Sequence, residues 1–188
     1  MPRQRASAYE GRVMAPVTTL IDETAIACRV DEMAGEIAAR LPADLLIVGL
    51  LKGCFVFIAD LLRALHRRGA SPQVEFMRLS SYGLGTASQG EVHLLGDIPL
   101  DVRGRTVLLV DDIIDSGHSL TYAKALLERR EVARVYTCAL LDKPNRRKVA
   151  VALDFVGFTI PDVFVAGYGI DYAERYRDLP RIVAVDTA

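Results

Sequence analysis

The chain has 188 residues, of which 51% are hydrophobic and 25% charged, and its formal net charge at pH 7 is −1. This composition is ordinary for one globular domain, and the near-zero charge excludes a general electrostatic attraction to nucleic acid or to an anionic membrane. No stretch approaches the roughly 20 apolar residues that a bilayer-spanning helix needs, and the three cysteines, which lack CxxC spacing, favour a reduced cytoplasmic protein with buried thiols.

The N-terminal half alternates between helical and strand-like patterns. Residues 1–15 show no periodicity, and we expect a disordered tail there. After Asp22, which can cap a helix, apolar residues recur at helical spacing as far as Pro42. The next segments indicate a buried strand at 45–51, a helix with an apolar face at Phe55, Ile58, Leu62 and Leu65 that ends near Gly69, a strand at 74–79, a loop of small and polar residues at 80–90 and a short strand at 92–95.

The most informative segment is VLLVDDIIDSGHSL, residues 107–120. Residues 107–110 predict a buried parallel strand, Asp111 and Asp112 stand where that strand leaves the core, and residues 115–119 lead into a helical pattern. Because ligands of open α/β sheets bind beyond the carboxyl ends of the strands, this segment is a predicted ligand site.

The C-terminal part contains one more long strand pattern, at 135–141, which ends in Asp142, Lys143 and Pro144. Strands that alternate with helices predict an α/β fold with a mostly parallel, doubly wound sheet flanked by helices, in a single domain over residues 16–188. Residues 146–188 contain only short strand-like pieces, and we expect them to form a small irregular hood beside the sheet. These pieces are 149–156, 163–168 and 182–185.

A turn that enters a helix N-terminus offers backbone N–H groups to an anion, and residues 115–119 have the composition of a phosphate-binding loop. Ser116 and Ser119 add hydroxyl donors, Gly117 permits a left-handed turn, and the segment lacks the lysine of a Walker A loop. The acidic pair before it can accept hydrogen bonds from sugar hydroxyls or hold Mg²⁺. Taken separately, each piece can also be a capped turn or a structural pair of acids; together they indicate a ribose 5-phosphate.

The segment VLLVDDIIDSGHSL resembles the signature that binds phosphoribosyl pyrophosphate in type I phosphoribosyltransferases. Four further blocks, in consistent order over about residues 17–186, are similar to those of hypoxanthine-guanine phosphoribosyltransferases, particularly the bacterial ones: GLLKGCFVFIADL, SSYG, LLDKPNRR and DFVGFTIPDVFVAGYGIDYAERYRDLP. The resemblance implies the type I phosphoribosyltransferase fold. It also implies Mg²⁺-dependent transfer of a 5-phosphoribosyl group from phosphoribosyl pyrophosphate to N9 of a 6-oxopurine, with release of pyrophosphate.

The resemblance implies a role for each matched residue, with Asp115 as the proton acceptor near N7 of the purine. It implies that Asp111 and Asp112 bind the ribose hydroxyls and the metal, and that the 5-phosphate binds to the loop of Asp115, Ser116, Gly117, His118 and Ser119. Pyrophosphate is expected to contact Lys52, Gly53 and Arg177, and the purine to contact Lys143, Phe164, Val165 and Asp171, of which Asp171 is also expected to contact the metal. Ser81 and Tyr82 are expected to belong to a mobile lid at residues 80–91.

Several of these positions carry a finer expectation. A lysine donor at Lys143 would favour a 6-oxopurine and reject adenine, whose 6-amino group is itself a donor. Phe164 would stack on the base, although an aromatic residue in a VFVAGY run can equally belong to the core. The Leu51–Lys52 peptide is expected to be cis. His118 and Asp111 depart from the family's usual residues, so the contact of each with its ligand is left open.

The expected partners are phosphoribosyl pyrophosphate, a 6-oxopurine, the mononucleotide product and, as is usual in the family, further copies of the chain in a homodimer or homotetramer. Nucleic acid and membranes are not expected partners.

Two alternative functions remain: a regulator of the same fold that binds RNA, and a transferase for xanthine. The near-neutral charge argues against the first. Hypoxanthine, guanine and xanthine are not ranked, because the contacts at position 2 of the purine are expected from backbone carbonyls.

Overall fold

The computed structural model describes residues 16–81 and 92–186. In chain order its elements are β1 (Val17–Ile21), α1 (Glu23–Arg40), β2 (Leu46–Leu51), α2 (Phe55–His66), β3 (Gln73–Ser81), β4 (Val92–Gly96), β5 (Thr106–Ile114), α3 (His118–Glu128), β6 (Arg134–Asp142), a short 3-10 helix (Pro144–Arg146), β7 (Phe155–Thr159), β8 (Val165–Ala166) and β9 (Ile182–Val185). The expected tail at 1–15 and Tyr82 of the expected lid lie outside the described residues, and only the backbone of Ser81 is described, at the end of β3.

A six-stranded sheet forms the centre of the molecule, in the order β4-β3-β2-β5-β6-β7. Neighbouring strands from β3 to β7 run parallel, and β4 pairs antiparallel with β3. The mostly parallel sheet predicted from the alternation of strand and helix patterns is therefore confirmed.

Successive residues of the central strands pack on opposite faces of this sheet. Ile47 and Leu108 pack with α1 and α2 on one face, whereas Val48 and Leu109 pack with α3 on the other. Helices thus cover both faces, which is the predicted doubly wound arrangement.

The two long helices differ in how well their patterns predicted them. In α1, the Asp22 side chain accepts a hydrogen bond from the backbone N–H of Ala25 at 2.8 Å, as expected for a cap. In α2, the predicted apolar face was wrong at Phe55, which is 45% exposed, whereas Phe57 and Leu61 are fully buried. The reason is that Phe55 begins α2 at the border of its polar side, which Asp60, Arg63 and His66 form.

A second sheet forms the hood, with the antiparallel order β1-β9-β8. The strand-like pieces predicted at 163–168 and 182–185 correspond to β8 and β9. The expectation for 149–156 was wrong: the strand begins at Phe155, and it extends the central sheet beside β6. The hood takes its third strand, β1, from the opposite end of the described chain, a pairing that local sequence patterns cannot reveal.

The cysteines are free thiols, and Cys54 and Cys138 are buried as predicted. Cys28 is exposed instead, because it lies on the outward side of the amphipathic helix α1.

Among the helices within residues 16–81 and 92–186, none combines the length and the apolar character needed to cross a membrane.

Candidate active site

The predicted site residues lie along the carboxyl edge of the central sheet. β2 leads through residues 52–54 into α2, β5 leads through residues 115–117 into α3, and β6 ends just before Lys143. Because β2, β5 and β6 are parallel neighbours, these three connections meet at the same edge.

The acidic pair lies inside β5, and not beyond its end as predicted, because the strand continues to Ile114 and Asp111 is paired with Ala139 of β6. Asp111 is 8% exposed, and its Oδ1 accepts a hydrogen bond from the backbone N–H of Asp112 at 3.0 Å. Burial raises the pKa of both carboxyls, and the adjacent Asp112 carboxylate raises that of Asp111 further. A cation or hydroxyl donors would stabilise the charged form of this pair.

The backbone at the start of α3 has the left-handed turn that the sequence predicted there. Gly117 has φ +87°, the left-handed conformation expected of it. The carbonyl of Ser116 accepts hydrogen bonds from the N–H groups of residues 148–149 at 3.0 and 3.2 Å, and a Cβ on Gly117 would press against that segment at 3.1 Å. The first N–H groups of a helix have no carbonyl partner within it, so those of His118 and Ser119 lie where an anion is favoured.

The loop after β2 approaches the acidic pair closely. Its Leu51–Lys52 peptide is cis, as the resemblance led us to expect. A Cβ on Gly53 would collide with the Asp112 carboxylate, so only glycine allows this approach. Lys52 Nζ donates to both carboxylate oxygens of Glu174, each at 3.0 Å.

Arg177 reaches the same carboxylate. Its Nη2 lies 3.4 Å from Glu174 Oε2 and 2.7 Å from Asp171 Oδ1, and its Nη1 donates to the carbonyl of Gly169 at 2.8 Å. The nearby cations Lys52 and Arg177 hold the pKa of Glu174 below its usual range. The two predicted pyrophosphate contacts are thus brought together through Glu174, which the sequence analysis missed because nothing local distinguishes it from a solvated surface charge.

A cavity of about 510 Å³ opens beside the loop after β6. It is lined by Asp115 and by all four predicted purine contacts. The full lining is Ile113, Asp115, Lys143, Arg146, Asp162, Val163, Phe164, Val165, Ile170, Asp171, Val185 and Asp186.

Lys143 is held at the inner part of this cavity with only 6% of its surface exposed. Its backbone N–H donates to the carbonyl of Ile114 at 3.0 Å, which ties the end of β6 to the end of β5. Burial lowers the pKa of the ammonium, and the Asp115 carboxylate opposes this change. The side chain is thus placed to donate a hydrogen bond into the cavity.

Phe164 is 56% exposed, so the interpretation of this residue as core is wrong. Its ring meets that of Tyr172 edge-on, with centroids 6.4 Å apart at an angle of 67°. The next residue, Val165, is buried in β8 and continues the cavity wall. A planar ligand in the cavity can therefore stack on the Phe164 ring.

Arg146 and Asp162 also lie in this cavity and were missed by the sequence analysis. Arg146 Nε donates to Asp115 Oδ1 at 2.8 Å, and its Nη1 donates to Asp162 Oδ1 at 3.1 Å. The signal that could have found it is the KPNR run, which puts an arginine one short turn after Lys143.

The implied metal contacts are not gathered in one place. Within the described ranges, no three His, Cys, Asp or Glu side chains are arranged to hold a metal ion. The Asp171 carboxylate is engaged by Arg177 and by the backbone N–H of Glu174 at 2.9 Å. Mg²⁺ in enzymes usually takes one or two carboxylates and completes its shell with water and substrate phosphates, and the buried pair Asp111–Asp112 fits that form of site.

The chain is similar in sequence and in fold to known proteins. Residues 17–173 match the family model described as a phosphoribosyl transferase domain. Over 169 residues the chain is 47% identical to the hypoxanthine phosphoribosyltransferase of Escherichia coli K12, covering 88% of this chain and 93% of that protein. Over 164 residues it is 43% identical to the hypoxanthine-guanine phosphoribosyltransferase of Bacillus subtilis, covering 87% and 89%. A crystal structure of a hypoxanthine-guanine phosphoribosyltransferase from Bacillus anthracis, with a HEPES molecule in its active site, is similar with a TM-score of 0.84 and 42% identity, over 90% of this chain and 98% of that one.

Proposed function

Because the chain belongs to the phosphoribosyltransferase family, we propose that it is a purine-salvage enzyme. It transfers the 5-phosphoribosyl group of phosphoribosyl pyrophosphate to N9 of hypoxanthine or guanine, giving inosine or guanosine monophosphate and pyrophosphate. The observation that carries this function is the cavity in which Lys143, Asp115 and Phe164 meet beside the loops after β2 and β5.

The cavity suits a 6-oxopurine. The Lys143 ammonium donates to O6 of the base, and the Phe164 ring stacks on its face, a contact worth about 1–3 kcal/mol. The backbone carbonyls of Val165 and Asp171 accept from the 2-amino group when the base is guanine. A 6-amino group would meet the Lys143 donor with another donor, so adenine is disfavoured.

The transfer reaction needs one proton acceptor and a place for the leaving group. The N9–C1′ bond forms while the bond from C1′ to the pyrophosphate oxygen breaks, and its electron pair leaves with pyrophosphate. Asp115 accepts the proton from N7, and its charge favours the cationic character that develops on the ribose. Lys52, the Gly53 amide and Arg177 receive the pyrophosphate, which displaces Glu174 from the two cations.

The remaining contacts hold the ribose and its phosphate. The N–H groups and hydroxyls of residues 115–119 bind the 5-phosphate, and Asp111 and Asp112 accept from the ribose hydroxyls. The same pair would hold Mg²⁺ together with water and substrate oxygens. Asp171, whose carboxylate is engaged by Arg177 in the ligand-free protein, would supply a separate metal contact. When bound, Mg²⁺ compensates the charge of the pyrophosphate.

The proposal also covers the domain organisation, the assembly and the cellular location of the chain. We propose a single phosphoribosyltransferase domain over residues 16–188, a homodimer or homotetramer, and a cytoplasmic location. The free thiols of the three cysteines support the last of these.

The test is a spectrophotometric assay with phosphoribosyl pyrophosphate, Mg²⁺ and, in turn, hypoxanthine, guanine, xanthine and adenine. The proposal expects turnover of hypoxanthine or guanine and little of adenine. Turnover of xanthine alone would show that the enzyme acts on a different base. Salt-sensitive RNA binding without turnover of any purine would show that the protein is a regulator and not this enzyme.

A further inference from the structure

We propose that Arg146 is a positioning residue that orients the Asp115 carboxylate toward the purine, and that Asp162 holds Arg146 in place for this task. The inference rests on the proposed function, because it concerns the proton acceptor of that reaction. It adds two side chains, both on the wall of the purine cavity, to those that the resemblance implied.

The guanidinium of Arg146 connects two carboxylates. Its Nε donates to Asp115 Oδ1 at 2.8 Å, and its Nη1 lies 3.1 Å from Asp162 Oδ1 and 3.5 Å from Oδ2. Because Nε engages one oxygen of Asp115, the rotation of that carboxylate is restricted while Oδ2 is left to accept a proton from the base. The planar guanidinium can serve both acids at once, which the single ammonium of a lysine does less well.

The backbone gives Arg146 a defined starting point. It closes the short 3-10 helix Pro144–Arg146, and its N–H donates to the carbonyl of Lys143 at 3.1 Å. The N–H of Lys143 in turn donates to the carbonyl of Ile114, next to Asp115. The same short turn therefore sets both the donor to O6 and the arginine that contacts the proton acceptor.

The exposure of these side chains explains why Asp115 needs such a partner. The side chains of Asp115, Arg146 and Asp162 are 44%, 43% and 50% exposed. A half-exposed aspartate without a fixed donor samples several rotamers, and a proton acceptor must be aligned with the reacting atom to be effective. The hydrogen bond to Asp115 raises the pKa of Arg146, so the arginine stays charged throughout the working range of pH.

The first experiment measures kcat and both KM values of Arg146→Gln against wild type. We expect kcat to fall about tenfold, equivalent to ~1.4 kcal/mol, with the KM for phosphoribosyl pyrophosphate and the melting temperature unchanged. Asp162→Asn should lower kcat by a smaller factor, and the double variant should be no slower than Arg146→Gln alone, because the two residues act in series. Arg146→Lys should give an intermediate kcat.

The matched control is Arg40→Gln. The Arg40 side chain is 49% exposed and lies 3.8 Å from Asp154, next to the start of β7 and at the opposite edge of the sheet. This variant loses the ion pair, a hydrogen bond to the Asp154 carbonyl and the contact of Arg40 with the Phe155 ring, all away from the cavity, so its kcat should match that of wild type.

A rescue experiment separates positioning from a purely structural role. Methylguanidinium at millimolar concentration should restore part of the kcat of Arg146→Ala, whereas methylammonium should restore less and Arg40→Ala should respond to neither. An unchanged or increased kcat in Arg146→Gln, or an equal loss in Arg40→Gln, would overturn the positioning role while wild-type turnover of hypoxanthine still supports the proposed function. Failure of the wild-type protein in the same assay would instead count against the function itself.

Discussion

Asp115 is the side chain on which the proposed chemistry depends most. Replacing it with asparagine keeps the shape of the side chain and removes the proton acceptor. We therefore expect Asp115→Asn to slow turnover of hypoxanthine by about 10²-fold or more, with little change in the binding of phosphoribosyl pyrophosphate. Steady-state kinetics and a binding titration measure the two effects, and an unchanged kcat would remove Asp115 from its role.

Asp111 and Asp112 make the stability of the ligand-free protein depend on pH. Their raised pKa means that the folded protein binds protons more tightly than the unfolded chain, so the pair's contribution to stability is present below the usual pKa of 3.8 and is lost as the pH rises through the raised value. Asp111→Asn should accordingly raise the melting temperature at pH 8 without divalent cations, by about 2–4 °C for each ~1 kcal/mol recovered.

Thermal melts at pH 4 and pH 8 in a chelator check this prediction, since the gain should shrink at the lower pH. The control is Asp44→Asn, which removes one carboxylate at an exposed position before β2. A lower melting temperature for Asp111→Asn at pH 8 would contradict the assigned electrostatics.

In the proposed reaction, Glu174 competes with pyrophosphate for the same two cations. Its carboxylate contacts both Lys52 and Arg177, yet its side chain is 69% exposed, so the competition is screened by solvent. Glu174→Gln should therefore tighten pyrophosphate binding only modestly, by about two- to fivefold, as measured by product inhibition. Glu128→Gln, which removes an exposed pair with Lys124 on α3, is the control, and weaker pyrophosphate binding in Glu174→Gln would refute the competition.

Sequence patterns indicated the site residues that follow predicted strands, and they missed the residues whose partners are distant in the sequence. Asp115 and Lys143 follow strand patterns directly, so their place at the carboxyl edge could be anticipated. The ion pairs of Arg146 with Asp115 and Asp162, and that of Glu174 with Lys52, join residues that are distant in the sequence, and such contacts carry no local signal.

Among the elements, the turn before α3 has a backbone that requires glycine, and we propose that it also binds the 5-phosphate. Gly117 and Gly69 both have positive φ, +87° and +78°, but a Cβ would press on Val149 at Gly117 and would meet nothing within 4 Å at Gly69. Alanine at either position should lower stability by about 1 kcal/mol. Only Gly117→Ala should also raise the KM for phosphoribosyl pyrophosphate, because it displaces the phosphate-binding amides.

Denaturant melts and steady-state kinetics on the two glycine variants provide the comparison. An equal KM in Gly117→Ala and Gly69→Ala would show that the turn before α3 does not shape the phosphate site.

The elements that were predicted poorly show what local patterns lack. In α2, Phe55 stands at the border between the apolar and the polar side, so helical spacing alone assigned this exposed residue to the core. The strand-like run at 149–156 was assigned to the hood, whereas Phe155–Thr159 pairs with β6, because pairing partners are chosen by the whole sheet.

At the scale of the whole molecule, the sheet was predictable and the hood was not. The alternation of buried strands and amphipathic helices requires a layer of helices on each face, which the two sets of core contacts around Leu108 and Leu109 reproduce. The hood joins β1 to β9 across almost the full described chain, from Val17 to Val185, and only the folded structure brings these strands together.

The proposed function requires that the cavity beside Lys143 bind a 6-oxopurine for transfer of the phosphoribosyl group. The most direct measurement identifies the products by mass and quantifies pyrophosphate after incubation with phosphoribosyl pyrophosphate, Mg²⁺ and either hypoxanthine or adenine. We expect inosine monophosphate and pyrophosphate in equal amounts from hypoxanthine and little nucleotide from adenine. Pyrophosphate released without nucleotide, or faster formation of adenosine monophosphate than of inosine monophosphate, would contradict the proposed function.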